Sequence, residues 1–262
     1  MQNAGYEAAG LNMLYFYTEV DKDHLGDVVN GLRYMNFAGF AVTKPNKVRV
    51  LRYLDELDPL CKKMGASNTV VKTPEGKLVG YNTDGIGFYT SITQEGGVKV
   101  DQSVFFCFGA GGAGRAMCSV LAYHGAKKIY ITDFYEPCAE SLVMDINENF
   151  APVAELVHHG DYAKIAECNV VMNASGIGMG STIGQTPMPV EHIQPGQFYF
   201  DACYNPDKTQ FLLNAEEKGC QVLNGLGMSL YQGAAQIELW TGEKAPVEAM
   251  RKELMDILAE SK

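Results

Sequence analysis

Between residues 104 and 116 the chain reads VFFCFGAGGAGRA. Its first five residues form an apolar run that is typical of a strand buried on both faces of a parallel sheet. A turn of the form G-x-G-x-x-G follows, and an alanine-rich stretch to about Tyr123 favours a helix. In this context the turn indicates a site where backbone N–H groups and a helix amino terminus bind a pyrophosphate, although a plain tight turn is the alternative. The predicted dinucleotide-binding residues are Gly109, Ala110, Gly111, Gly112, Ala113 and Gly114.

The residue after the next predicted strand bears on the choice of cofactor. Asp133 follows the strand at 128–132, and an acidic side chain there can accept hydrogen bonds from a ribose while repelling a 2′-phosphate. No arginine lies in the turn at 134–136, whereas Lys127 and Lys128 are near in sequence. This pattern favours NAD and leaves NADP possible; the alternative is that Asp133 only caps the next helix.

Strand and helix patterns alternate on both sides of the glycine turn. Downstream, short apolar runs with helical segments between them predict a doubly wound parallel sheet, that is, a Rossmann domain. The predicted strands there are 104–108, 128–132, 156–157, 170–172, 198–201 and 221–223. Upstream, the patterns predict strands at 14–17 and 37–43, helices at 24–35 and 47–63, and a hairpin around the turn at 74–76. We therefore expect an α/β fold of two domains, residues 1–84 completed by helices at 226–262, and a Rossmann domain at 85–225.

Composition narrows the function classes. The 262 residues carry a formal net charge of -10, which argues against a nucleic-acid partner. No apolar stretch is long enough for a membrane span, and no signal peptide is visible at the amino terminus. The seven cysteines contain no C-x-x-C pair, so we expect reduced thiols and a cytoplasmic protein. The adjacent His158 and His159 would point apart, and we expect no metal site.

Two charged residues in the first domain are candidates for proton transfer. Lys47 follows a predicted strand and Pro45, and Asp84 lies between another strand and a helix. A lysine beside a carboxylate suits proton transfer to and from an oxygen while a hydride moves between carbon and nicotinamide. Taken singly, a solvated lysine and a helix-capping aspartate are the alternatives.

Several motifs occur together and in a fixed order. They are GFAVTKPNK at 39–47, GASNT at 65–69, GYNTDGIGF at 80–88, GAGGAGRA at 109–116, NASGIGM at 173–179, DACYNP at 201–206 and GLGMSLYQGAAQIELWTG at 225–242. Together they closely resemble the shikimate dehydrogenase family, including its quinate/shikimate branch. The resemblance implies an NAD(P)-dependent oxidoreductase of aromatic amino acid biosynthesis that interconverts shikimate and 3-dehydroshikimate, or quinate and 3-dehydroquinate.

The resemblance also implies residue roles. Lys47 matches the family's catalytic lysine, and Asp84 matches its partner carboxylate. Positions that match substrate-binding residues are Thr43, Asn68, Tyr204 and Gln232. Positions that match the cofactor segment and the surroundings of the nicotinamide are Asn173, Ala174, Gly225 and Met228. The implied partner is a small molecule, and the implied assembly is a monomer or a homodimer.

The chain departs from the family pattern near its amino terminus. The family begins with a strand carrying a serine pair, S-x-S, that binds the substrate carboxylate, and Met1 falls where its first helix already lies. Ala41 replaces the usual asparagine, and Lys44 stands where an apolar residue is common. A catalytically weak cofactor-binding or regulatory protein is therefore an alternative hypothesis. A folate-type dehydrogenase is a third, which the Asn-Thr-Asp and Tyr-Asn-Pro segments argue against.

Overall fold

The chain divides into two structural units. The structure, a computed structural model, describes residues 1–260. One unit comprises Met1–Gly87 and the chain from Leu230 onward, and the other comprises Phe88–Ser229. The chain passes from one unit to the other within the helices Thr83–Thr90 and Leu226–Thr241. The first unit is therefore built from both ends of the chain.

The first unit contains a small sheet with helices. Its elements before the boundary are α1 (Gln2–Ala8), α2 (Leu25–Tyr34), β1 (Gly39–Ala41), β2 (Glu56–Leu57), α3 (Pro59–Met64), β3 (Thr69–Lys72), β4 (Leu78–Tyr81) and α4 (Thr83–Thr90). The strands lie in the order β1-β3-β4-β2. Strands β3 and β4 form the hairpin that the sequence predicts, with Gly76 at φ 85° in its turn. Apolar side chains of α2 and the sheet, among them Val29, Val70 and Leu78, form the core of this part.

The expectation of a strand at residues 14–17 is wrong. These residues belong to no strand, and Leu14 and Tyr17 are each 75% exposed. The side chain of Asn3 hydrogen-bonds both the N–H and the carbonyl of Tyr15, over 2.7 and 2.9 Å. A run of large apolar and aromatic residues is a local signal, whereas a strand needs a neighbouring strand for its backbone groups. Here an asparagine side chain takes that place at Tyr15.

The expectation of one helix over residues 47–63 is also wrong. The segment contains a 3₁₀ turn at Arg49–Tyr53, then β2, then the short helix α3. Asp58 has extended backbone angles because the following Pro59 disfavours the helical region. Its carboxylate accepts hydrogen bonds from the N–H groups of Leu60 and Cys61, over 3.1 and 2.9 Å. An Asp-Pro pair therefore begins a new helix where the apolar spacing suggested a continuous one.

The second unit is a doubly wound parallel sheet, which confirms the predicted fold class. Its elements are β5 (Val104–Phe108), α5 (Gly112–Tyr123), β6 (Lys128–Thr132), α6 (Glu136–Asn149), β7 (Ala154–Leu156), β8 (Val170–Asn173), β9 (Phe198–Asp201), α7 (Gln210–Glu217) and β10 (Gln221–Asn224). The strand order is β10-β9-β8-β5-β6-β7, and all pairs are parallel. Because the winding reverses between β5 and β8, their carboxyl ends flank a crevice where such sheets bind ligands. The helices α8 (Leu226–Thr241) and α9 (Val247–Glu260) follow.

Candidate active site

Two charged side chains of the first unit form a short ion pair. Lys47 lies beyond the turn that follows β1, and Asp84 lies in the first turn of α4. Lys47 Nζ donates a hydrogen bond to Asp84 Oδ2 over 2.6 Å, and the two side chains are 28% and 20% exposed. A partly buried ion pair that remains accessible to solvent can carry a proton and also contact a small molecule. The two residues that the sequence predicts for proton transfer are therefore in contact.

Asn68 holds the carboxylate of this pair in place. The backbone N–H of Thr83 donates to Asn68 Oδ1 over 2.7 Å, which fixes the orientation of the asparagine amide. Asn68 Nδ2 then donates to Asp84 Oδ1 over 2.9 Å. One carboxylate oxygen accepts a hydrogen bond from the amide, and the other accepts one from the lysine ammonium group. Asn68 is buried, whereas Thr43, another predicted substrate residue, is exposed and its carbonyl accepts from the N–H of Asn46 over 2.9 Å.

A buried polar network continues from Asn68 into α8. Thr69 Oγ1 lies 3.0 Å from Asn68 Oδ1 and accepts a hydrogen bond from Gln236 Nε2 over 3.0 Å. Gln236 Oε1 accepts from Gln2 Nε2 over 2.9 Å. Gln232, one turn earlier on α8, approaches Asn68 Nδ2 at 3.5 Å. Sequence reasoning missed Gln236, although its four-residue spacing from Gln232 places both on one helix face.

The glycine turn has the shape of a phosphate cradle. Gly109 has φ 101°, and a Cβ there would lie 2.6 Å from the backbone nitrogen of Ser175. A Cβ on Gly114 would overlap the carbonyl oxygen of Gly109. Gly111, the N-cap of α5, faces open space and brings no side-chain cap, which leaves the first N–H groups of the helix for a ligand. These residues fit a pyrophosphate, with Gly112 exposed and Ala113 half-buried beside it.

Asp133 is directed toward the glycine turn. Its Oδ2 accepts a hydrogen bond from the N–H of Ala110 over 2.7 Å, and its Oδ1 accepts from the N–H of Tyr135 over 2.9 Å. The carboxylate therefore lies at the carboxyl end of β6, next to the turn that follows β5. Glu136 nearby is bound by His158 at 3.0 Å, and this contact lowers the pKa of the glutamate.

A buried asparagine at the end of β8 forms hydrogen bonds with the loop that follows this strand. Asn173 is fully buried, and its Nδ2 donates to the carbonyl of Ile177 over 2.8 Å and to both carboxylate oxygens of Asp201 over 3.1 Å. Its Oδ1 accepts from Ser175 N and Ser175 Oγ, over 3.1 and 2.6 Å. Ala174 is half-buried, and its N–H donates to the carbonyl of Phe108 over 2.7 Å. The side chain of Asn173 thus faces the protein interior rather than the surface of the loop.

The other predicted cofactor and substrate positions follow β9 and β10. Tyr204, in the loop after β9, is 36% exposed. A Cβ on Gly225 would overlap the carbonyl oxygen of Ala202, so the two loops touch at a position that only glycine fits. Met228 lies half-buried in the first turn of α8. Tyr204, Gly225 and Met228 all belong to the second unit, whereas Lys47 and the residues around it belong to the first.

Two further features of the described residues concern the thiol of Cys203 and the side chains that could bind a metal ion. Burial raises the pKa of the Cys203 thiol to about 12, which keeps it protonated at neutral pH. Over residues 1–260, His, Cys, Asp and Glu side chains form no group of three or more that could hold a metal ion. In the same part of the chain, no helix is long and apolar enough to span a bilayer.

Comparison with known proteins identifies the family. The model of the shikimate dehydrogenase substrate binding domain matches residues 1–70, and that of the shikimate 5'-dehydrogenase C-terminal domain matches residues 225–255. A shikimate dehydrogenase (NADP(+)) of Desulforamulus reducens is 40% identical over 258 residues, or 97% of this chain and 88% of the relative. The chain belongs to the shikimate dehydrogenase family. The predicted family resemblance is thereby confirmed.

Two solved structures are similar to this chain in fold. The shikimate 5-dehydrogenase of Listeria monocytogenes, in complex with shikimate and NAD, has a TM-score of 0.91 and 38% identity, covering 96% of this chain and 89% of its own. The quinate dehydrogenase of Corynebacterium glutamicum, in complex with NAD, has a TM-score of 0.90 and 29% identity, covering 97% of this chain and 92% of its own.

Proposed function

We propose that the protein is an NAD-preferring dehydrogenase that reversibly interconverts shikimate and 3-dehydroshikimate. The observation that carries the proposal is the Lys47–Asp84 ion pair of 2.6 Å, whose carboxylate is oriented by Asn68. The similarity to the Listeria enzyme, whose structure is a complex with shikimate and NAD, supports shikimate as the substrate. A shared family alone does not assign a reaction, so the site geometry has to support it.

Lys47 is the proposed general acid and base. When bound, the nicotinamide supplies the hydride acceptor or donor at the substrate carbon. In the oxidative direction, the neutral Lys47 amine accepts the proton of the substrate hydroxyl at Nζ. In the reductive direction, the ammonium returns that proton to the carbonyl oxygen. Asp84 stabilises the ammonium form and holds Nζ in one place, so the proton is exchanged at a fixed point.

The remaining polar residues are proposed to bind the substrate. Asn68 and Gln232 lie next to the ion pair in the first unit, and Thr43 lies in the turn before Lys47. These three residues offer donors and acceptors for the hydroxyls and the carboxylate of a small polyol. Tyr204, of the second unit, is a further substrate residue that the family resemblance implies. Each substrate hydroxyl left without a partner in such a site would cost about 1–3 kcal/mol, which gives the set its selectivity.

The second unit is proposed to bind the dinucleotide, with residues 85–225 as the cofactor domain and 1–84 plus 226–262 as the substrate domain. The glycine turn would hold the pyrophosphate, and Ala174, Gly225 and Met228 would line the path toward the nicotinamide. Asp133 supports NAD over NADP, because its carboxylate lies beside the turn and would repel a 2′-phosphate. The Desulforamulus relative is named for NADP(+), so this preference is a property we propose for this chain in particular.

The deciding experiment measures cofactor reduction with each substrate. Purified protein is assayed with shikimate and with quinate, each with NAD and with NADP. We expect the highest kcat/KM for shikimate with NAD. Quinate is the second candidate, because the Corynebacterium neighbour is a quinate dehydrogenase with NAD. No turnover at millimolar concentrations of either substrate would instead favour a cofactor-binding or regulatory protein with weak catalysis.

We also propose that the protein works in the cytoplasm, as a monomer or a homodimer. All seven cysteines are free, and those other than Cys138 are buried, as is usual for proteins of a reducing compartment. Size-exclusion chromatography with light scattering distinguishes the two assembly states, and a larger assembly would contradict both.

A further inference from the structure

A buried carboxylate, that of Asp201, lies at the carboxyl end of β9, close to the loops that are predicted to bind the cofactor. Asp201 is fully buried, and burial raises the pKa of its carboxyl group. Its oxygens accept hydrogen bonds from Thr209 Oγ1 over 2.6 Å, from the N–H of Cys203 over 2.9 Å and from Asn173 Nδ2 over 3.1 Å. The reaction proposed above gives this group no task. A buried carboxylate is costly, and it persists only where several donors compensate it.

The carboxylate determines how the amide of Asn173 is oriented. A carboxylate accepts hydrogen bonds and donates none, so the asparagine must direct its NH₂ group toward Asp201. The amide oxygen then faces the opposite way, where it accepts from both N and Oγ of Ser175. Ser175 Oγ in turn accepts from the N–H of Ile177 over 3.2 Å. The shape of the loop at 174–178 therefore depends on the acceptor-only character of Asp201.

This loop lies against the first residue of the glycine turn. A Cβ built on Gly109 would be 2.6 Å from Ser175 N and 2.7 Å from the carbonyl carbon of Ala174. The backbones of the two segments are thus as close as glycine permits, and a shift of the loop would displace Gly109. On its other side, Asp201 binds Thr209, at the end of the loop at 202–209 that carries Tyr204.

We propose that Asp201 is a positioning residue that ties the loop after β8 and the loop after β9 together and so sets the shape of the dinucleotide site. The inference rests on the proposed binding of NAD by this unit. In this role Asp201 contacts neither cofactor nor substrate. Asp201 acts on the site through Asn173, which binds Ser175, and Ser175 lies against Gly109.

The test measures NAD and NADP affinity by equilibrium titration of the full-length protein without substrate. Asp201→Asn keeps the size of the side chain but places an NH₂ group where Asn173 and Thr209 need an acceptor. We expect the Kd for NAD to rise about 10- to 100-fold, as the loss of charged hydrogen bonds would produce. Thr209→Val should raise the Kd in the same direction, and Thr209→Ser, which keeps the hydroxyl, should restore it.

The matched control lies at the other end of the same strand. Gln197 directly precedes β9, is 6% exposed, and donates to the carbonyls of Ile165 and Cys168 over 2.7 and 2.9 Å. Gln197→Met should lower the melting temperature without changing the Kd for NAD. If Asp201→Asn does not fold, Ser175→Ala serves instead, because that residue is exposed and its hydroxyl binds Asn173.

The outcomes separate this inference from the proposed function. Equal Kd values for wild type, Asp201→Asn (or Ser175→Ala) and Gln197→Met would overturn the positioning role while leaving NAD binding intact. A rise in Kd that Gln197→Met shares would also overturn it, since it would report general loss of structure. Failure of the wild type to bind either NAD or NADP would overturn the proposed function and this inference with it.

Discussion

Replacing Asp84 by asparagine isolates the contribution of the ion pair at the centre of the first unit. Asp84→Asn keeps the shape of the side chain and removes its charge. At the observed 2.6 Å, two unit charges attract by about 6 kcal/mol at an effective dielectric constant of about 20. Desolvation and partial exposure offset most of this attraction, and a charged hydrogen bond has a net value of about 1.5–3 kcal/mol. If that energy acts on the transition state, kcat for shikimate oxidation falls about 10- to 100-fold.

The assay is the initial rate of NADH formation at saturating shikimate and NAD, with NAD affinity measured separately. The matched control is Glu56→Gln. Glu56 forms an ion pair with Lys77 of the same 2.6 Å length, but the side chains are 54% and 57% exposed. Exposed pairs contribute little, so this variant should match wild type in rate and melting temperature. An Asp84→Asn variant that turns over within twofold of wild type would refute the role given to the pair.

Three further predictions concern the cofactor unit and the pH dependence of stability. Asp133→Ser should raise kcat/KM for NADP relative to NAD by about tenfold, the size expected when one repulsive charge is removed; an unchanged ratio would assign the preference elsewhere. Gly111→Ala should weaken NAD binding but leave the melting temperature unchanged, because the added Cβ faces open space. Gly114→Ala should lower the melting temperature, because its Cβ would meet backbone atoms. The reverse pattern would contradict the role of the glycine turn in binding the pyrophosphate. The Arg33 guanidinium beside Asp55 lowers the pKa of that carboxyl. The pKa of Asp55 is lower in the folded than in the unfolded protein, so this stabilisation is present above the unfolded pKa and is lost as the pH falls through the folded pKa. In urea unfolding at a series of pH values, Asp55→Asn should therefore reduce the loss of unfolding free energy at acid pH. An unchanged loss would exclude the Arg33–Asp55 pair as its cause.

The parts of the fold that depend on local pattern could be predicted from the sequence. A continuous apolar strand followed by the turn at Gly109 specifies one supersecondary unit, and the Pro-Glu-Gly turn specifies a hairpin. The segment at 14–17 could not be assigned correctly, because its run of apolar and aromatic residues carries no information about whether a neighbouring strand is present. The break at Asp58-Pro59 was readable in principle, since that pair is a helix start signal.

The candidate site, too, could be predicted only in part from the sequence. Lys47 and Asp84 follow strand ends, and Asn68 directly precedes β3. All three belong to recognisable motifs, so the family resemblance pointed to them. The hydrogen bonds that support the site could not be predicted, because Gln236 bonds to Thr69 across 167 positions and to Gln2 across 234. Nothing in a single sequence links residues that far apart. Buried polar networks of this kind follow from tertiary packing and become visible only in the folded chain.

Lys47 is proposed to exchange a proton with the substrate oxygen. A paired measurement on Lys47→Ala of kcat for shikimate with NAD and of Kd for NAD tests this role. We predict that kcat falls about 10²- to 10⁴-fold, the usual contribution of a general acid/base, while the Kd stays within twofold of wild type. A Lys47→Ala variant with wild-type turnover would contradict the claim.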